Sequence, residues 1–283
     1  MKTSLKSILT IAIIAIISSA TLSGCKKDET TPATATIDGA AQKTAEDRTA
    51  SSTIDDDNTS ISEYVANIDP TSEGGRTEGT FLGTGQTSYN RLTRIFTIDF
   101  GTLNAVCSDG KRRKGKIFIR FTQGEPRVFD YNTITTQENY FVNDIKVEGT
   151  RTDAVKVTLA SNTITSTRDI VVTNRKLTFP DASTFSESGT YRNIGMLKVA
   201  ERTWEITLTG AATGINRESK AFTATILTPI KIVSTCATTP PISGKIEIAV
   251  AAVADKITID YGSGACDRVA IISYKGQSVT VNF

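Results

Sequence analysis

Histidine is absent from this chain of 283 residues. Without an imidazole there is no Ser-His-Asp or Cys-His relay, no HExxH metal site and no histidine pH switch. Long apolar runs are missing as well. The one apolar run of note, residues 8–17, is too short to span a bilayer. Tryptophan occurs once, methionine twice and proline 7 times. What is abundant is threonine, about one residue in six. With 39% apolar and 22% charged residues, the chain has the composition for one large globular domain or two smaller ones.

The apolar run is preceded by Lys2 and Lys6 and followed by Leu22-Ser23-Gly24-Cys25. A positive n-region, a short h-region and small residues before a cysteine have the order of an export signal, and the last four residues resemble a bacterial lipobox. This resemblance implies cleavage after Gly24 and lipidation of Cys25. Two or three acyl chains, at about 0.8 kcal/mol per buried methylene, hold a protein on a membrane without crossing it. The following Lys26-Lys27-Asp28-Glu29 resembles the charged surface-export signal of lipoproteins from the Bacteroidota.

Charge divides the chain after this point. Residues 26–80 carry 5 basic and 12 acidic side chains, and residues 81–283 carry 25 basic and 18 acidic. The acidic part is rich in Thr, Ala, Ser, Asp and Gly and poor in large apolar residues, the composition of a segment that cannot order itself by burial. The reading is therefore a signal peptide over 1–24, a lipidated cysteine and flexible acidic tether over 25–80, and a body over 81–283. Within the tether, residues 60–68 place Ile61, Tyr64, Val65 and Ile68 at helical spacing, which predicts a short helix docked on the body. Asp55-Asp56-Asp57-Asn58 lacks the alternation, turn glycine and distal Glu of a calcium loop, so it reads as solvated linker and no metal site is expected.

The body alternates with period two. Ile117, Ile119 and Phe121 oppose Lys116, Phe118 and Arg120, and Trp204, Ile206 and Leu208 oppose Thr203, Glu205, Thr207 and Thr209. Half-buried strands have this pattern. Strands are predicted over 92–100, 114–122, 134–142, 145–152, 155–160, 168–179, 184–192, 197–209, 217–227, 231–235, 244–250, 256–261, 268–274 and 278–283, joined by short turns. The fold class is all-β, an antiparallel up-and-down meander forming a sandwich or partly closed barrel. Thr97-Ile98-Asp99-Phe100-Gly101 with Cys107, and Thr258-Ile259-Asp260-Tyr261-Gly262 with Cys266, suggest two similar β units, one at each end.

With Cys25 committed to lipid, Cys107, Cys236 and Cys266 remain, and an odd number leaves one outside any internal bridge. Cys236 and Cys266 flank two predicted strands whose meander returns their loops to one region, so the expected disulfide joins them.

Chemistry-bearing motifs are few. Asp99-Phe100-Gly101 lacks the phosphate loop and catalytic loop that would make it kinase-like. Lys111, Arg112, Arg113, Lys114 and Lys116 form the densest basic cluster, a candidate polyanion contact and equally a solubilising hairpin tip. Carboxylate pairs for glycoside hydrolysis leave no sequence signature. Trp204 is in phase with core residues, so Tyr140-Phe141 and Phe129-Asp130-Tyr131 are the better surface aromatics.

Taken together, residues 22–29, the Asp-aromatic-Gly…Cys units and the run from Asp109 to Ile117 resemble a family of uncharacterised Bacteroidota outer-membrane lipoproteins. The resemblance implies an all-β body on the outer membrane, facing outside, and transfers no catalytic residue and no cofactor. The first expectation for function is a non-enzymatic binding or structural module, with the membrane as a partner through its lipid, a glycan or another outer-membrane protein as a second, and no nucleic acid. The alternative is an enzyme or accessory protein acting on extracellular polysaccharide through carboxylates, and a third reading is a periplasm-facing assembly factor.

Overall fold

The computed structural model describes residues 39–67, 85–125, 129–236 and 240–282. The signal segment, Cys25 and the charged tetrapeptide lie outside the described residues. One helix precedes fourteen strands: α1 (Gly39–Asn67), β1 (Gln86–Asn90), β2 (Ile95–Asp99), β3 (Ala105–Val106), β4 (Arg112–Gln123), β5 (Tyr131–Val142), β6 (Ile145–Ala160), β7 (Thr163–Thr178), β8 (Thr184–Lys198), β9 (Thr203–Ile215), β10 (Ala221–Val233), β11 (Pro241–Val250), β12 (Ile257–Ser263), β13 (Val269–Tyr274) and β14 (Gln277–Asn282). All the strands belong to one antiparallel sheet in which neighbours in sequence are neighbours in space, with β3 set aside on β4. The sheet does not close into a barrel.

Several strands are longer than their local sequence suggests. Residues 145–152 and 155–160 are one strand, because Asp153, a turn signal in sequence, lies fully buried in β6. Leu197 belongs to the end of β8 and does not begin β9, and the turn falls at 199–202. β10 runs through Pro229, which a break in the β9–β10 register between Thr225 and Ile230 accommodates. The short strand β1 has one apolar residue, Tyr89, and gives little period-two signal.

The larger correction concerns residues 39–67. The spacer and its short helix at 60–68 are replaced by a helix of 29 residues. Fifteen of these residues are Gly, Ser, Thr, Asp or Asn, which favour turns and caps over helix interiors. There is no acidic residue in the first turn and no basic residue in the last. Such a helix does not stand alone in water and takes its stability from what packs on it. Thr44, Ala45, Asp47, Thr49, Ser51, Ile54, Asp57, Asn58, Ile61, Ser62 and Val65 are all buried. These positions cover every face, so the sheet must wrap around the helix.

The curl is written into the backbone. From β4 to β12 every strand pairing except β8–β9 contains a register shift. Such bulges bend a strand and increase its twist. At one of them Gly149 has φ +124°, and a Cβ there would lie 2.8 Å from the Cα of Arg175, so no other residue fits. The bulge also reverses the alternation of β7, which buries Arg168, Ile170 and Val172 on one side of it and Arg175 and Leu177 on the other.

The apolar core joins Ile54, Ile61 and Val65 of α1 to Ile98, Ile117, Phe121, Leu177, Phe185, Ile248, Ile259 and Ala270. Ile61 is 1% exposed at the centre of this contact. Replacing Ile61 with Ala is expected to cost about 2–5 kcal/mol of stability, measured by denaturant unfolding. Far-UV dichroism and tryptophan fluorescence are expected to report one common transition, since helix and sheet share that core.

Candidate functional site

Charged groups gather where α1 meets the sheet. Helical spacing places Asp47, Ser51, Asp55, Thr59 and Ser62 along one stripe of α1, and adjacent strands present arginines to that stripe. On β6, Arg151 forms a two-pronged pair with Asp153, Nε to Oδ2 at 2.9 Å and Nη2 to Oδ1 at 2.8 Å. The same guanidinium donates to the Asp55 carbonyl at 2.9 Å and to Thr59 Oγ1 at 2.8 Å. On β7, Arg175 pairs with Asp55 through both its terminal nitrogens and reaches Glu187 of β8 at 3.1 Å. Arg48 of the helix closes this group through Glu187 and donates to Tyr191 Oη at 3.0 Å.

Two further groups pin the rest of the helix. Arg113 of β4 is fully buried and pairs with Asp57 and with Asp109, the latter at 2.9 and 2.7 Å. Lys111 and Tyr140 also donate to Asp57, at 2.9 and 3.2 Å. Near the helix start, the backbone amide and side chain of Arg217 bind Asp47, and Asn216 donates to Thr44 Oγ1 at 2.7 Å. Near its end, Arg168 joins Asp153 and Glu63, at 3.1 and 3.3 Å.

Burial tends to raise the carboxyl pKa of Asp55, Asp109 and Asp153, but the guanidiniums of Arg175, Arg113 and Arg151 respectively hold all three below the usual carboxylate range. Asp56 behaves oppositely: burial, with the neighbouring charge of Asp55, pushes it up to about 7 against the pull of Lys111 and Arg151. Burial likewise raises Asp47 despite its bonds to Arg217. Burial also raises the thiol of Cys107.

The basic cluster seen in sequence is thereby taken apart. Arg113 and Lys111 both bind Asp57 of the helix, Arg113 from full burial and Lys111 with 19% of its side chain exposed. Arg112 pairs with Asp144, Lys116 with Asp99 at 3.2 Å, and Lys114 lies 4.2 Å above the ring of Phe141. The reading of Asp55-Asp56-Asp57-Asn58 as solvated linker is overturned by the same contacts. Among the surface aromatics, Phe129 is 77% exposed while Tyr131 and Tyr140 are buried, and Trp204 is half-buried. Sequence offered one signal of the seam: arginines at inward-facing strand positions, such as Arg151 beside Asp153, where an apolar residue would otherwise stand.

Cys236 and Cys266 are disulfide-bonded with Cα atoms 5.5 Å apart, and Cys107 is buried outside the bridge. The two Asp-aromatic-Gly units share a local design. Asp99 accepts from the amide of Gly101 and Asp260 from that of Gly262, at 2.8 and 2.9 Å. Each aspartate also pairs with a lysine on an adjacent strand, Lys116 and Lys245.

A hollow of about 370 Å³ lies on the outer face of β7–β9, lined by Val171, Thr173, Ser188, Thr190, Ala211 and Thr213 among others, with no charged residue. A cavity of about 10 Å³ sits under the helix beside Asn58, Gln137, Glu148 and Arg151. Neither is lined by two carboxylates. Among the described residues no group of three His, Cys, Asp or Glu is placed to hold a metal ion, and no helix is long and apolar enough to cross a membrane. No family model matches the chain, and neither the curated proteins nor the solved structures gave a match to it.

Two outcomes follow from the seam. Arg151→Met leaves the buried Asp153 without its two-pronged partner and takes from Asp55 the second of its two arginines, and it is expected to cost about 3–5 kcal/mol, read by denaturant unfolding at pH 7. The pH dependence has two limbs. Asp55, Asp109 and Asp153, with lowered pKa, contribute stability above about pH 4 that is lost on acidification. Asp56, raised to about 7, binds its proton more tightly when folded, so stability falls as pH rises from about 4 to 7. Asp56→Asn is expected to approach the wild type near pH 4, to exceed it increasingly up to about pH 7 and to keep that margin at pH 8, leaving the fall with rising pH that Asp47 contributes.

Proposed function

We propose that this protein is a lipid-anchored outer-membrane lipoprotein, displayed on the outside of the cell, whose β body binds or supports and does not catalyse. One observation carries the non-enzymatic part of this reading: five of the carboxylates that the fold gathers are already neutralised. Asp55, Asp57, Asp109, Asp153 and Glu187 are each paired with arginine under the helix. A glycosidase instead holds two carboxyls about 5–10 Å apart across an open cleft. The open hollow on the outer face offers hydroxyls and small apolar groups in place of acids.

That outer face supplies the surface for binding. Thr152, Val171, Thr190, Ala211, Thr225, Glu247 and Thr258 stand in one cross-strand row over β6 to β12. β-Branched hydroxyl residues pack on a pleated face and still tolerate water. A hydrogen-bonding row of this kind, in which Glu247 is the one charged member and is paired with Lys256, suits a glycan or the loops of another outer-membrane protein. The row itself holds no Lys or Arg to meet a nucleic-acid backbone.

The anchor is supported by the order of Lys2, Lys6, the apolar run and Leu22-Ser23-Gly24-Cys25. Metabolic labelling with a fatty-acid analogue is expected to mark the wild type and leave Cys25→Ala unmarked and released from the membrane fraction. Protease treatment of intact cells is expected to clip the wild type, and protection from it would favour a periplasm-facing protein. Capture experiments with glycans and outer-membrane proteins require the chain from residue 25 onward, because α1 belongs to the folded body.

A further inference from the structure

The open sheet ends in two edges, and β14 lacks the devices that usually protect one. Natural edges are blunted by charge, proline, bulges or a covering element. β14 reads Gln-Ser-Val-Thr-Val-Asn with none of these residues, pairs with β13 without a register shift, and among the described residues forms its main-chain ladder with β13 alone. Five of its six residues are exposed, Val279 among them at 42%.

The turn into β14 fixes which backbone groups are open. Lys275 and Gly276 both have positive φ, 51° and 71°, which makes a two-residue turn of the mirror-image type. Tyr274 and Gln277 then form the hydrogen-bonded pair that closes the hairpin. Antiparallel pairs alternate, so Val279 and Val281 also bond to β13. Ser278, Thr280 and Asn282 therefore point their N–H and C=O groups away from it.

We propose that β14 is a pairing edge for the β14 of a second copy of this chain, with a two-fold axis at Thr280. Antiparallel pairing must match open groups with open groups, and the centred register does so by setting Thr280 opposite Thr280 and Ser278 opposite Asn282. The intervening non-hydrogen-bonded pairs are then Val279 with Val281, twice. Val279 and Val281 lie on the face that carries Ala270 and Ile272, so the register that satisfies the backbone also joins the apolar rows and covers Val279. β-Branched cross-strand pairs are favourable, no like charges meet, and an isologous contact closes at two copies. β1, the opposite edge, has no aliphatic residue to make such pairs.

The test is the mass in solution of residues 25–283, measured by light scattering up to several hundred micromolar. The wild type is expected to reach twice the monomer mass. Thr280→Pro removes an outward N–H while sparing the ladder to β13 and is expected to remain monomeric with an unchanged circular dichroism spectrum. Val279→Lys, which guards the edge with charge at an exposed position, is expected to do the same and decides the matter alone if the proline variant does not fold. A spin label at Thr280→Cys is expected to show strong dipolar broadening, because the two Cα atoms of a hydrogen-bonded pair lie about 5.5 Å apart. A monomeric wild type, a dimer that survives either edge variant, a spin-labelled dimer without broadening, or open-ended head-to-tail chains would each overturn the proposal.

Discussion

A helix too polar to bury itself lies buried on every face, and the sheet is shaped to make that tolerable. Desolvating the carboxylates of α1 without partners would cost several kcal/mol each. Arg113, Arg151, Arg175 and Arg217 arrive from four places along the sheet to meet them. To bring β4 and β7 and the β9–β10 turn onto one helix, the sheet has to curl, and it curls through the bulges between β4 and β12. Charge pairing, curvature and helix formation are thus one constraint seen from three sides.

The geometry of the guanidinium suits this arrangement. Its planar fork bonds two or three oxygens at once, so Arg151 holds Asp153 of its own strand and Asp55 and Thr59 of the helix together. Buried ion pairs contribute little net stability compared with an apolar interface of the same size. What they add here is register, because only one axial position of α1 sets Asp47, Asp55 and Asp57 against Arg217, Arg175 and Arg113. The apolar residues Ile54, Ile61 and Val65 supply the burial that drives the contact.

Much of the sheet was legible in the sequence, since Ile117, Ile119 and Phe121 alternate with polar residues on a half-buried strand and Gly, Asn and Asp mark its turns. The helix was hidden for a physical reason. Its acids signal solvent in local sequence, and the strand and turn partners of Asp47, Asp55 and Asp57 lie from 54 to 170 residues away. The basic run at 111–116 misled in the same way, because Arg113 looks exposed until Asp57 and Asp109 are placed around it. Strand lengths failed where buried polar residues such as Asp153 imitate turns. The proposals of a lipid anchor and of surface display rest on residues 1–29, and the non-enzymatic proposal on where the acids went.

The central claim is that α1 and the curled sheet form one cooperative unit. Native-state hydrogen exchange measured on residues 44–65 tests it most directly. Amides of this segment should exchange as slowly as those at the centres of β6, β7 and β8, and should lose protection with them as denaturant is raised. Fast exchange of the helix beside a protected sheet would contradict the account, because the sheet would then hold its shape without the charges it curls around.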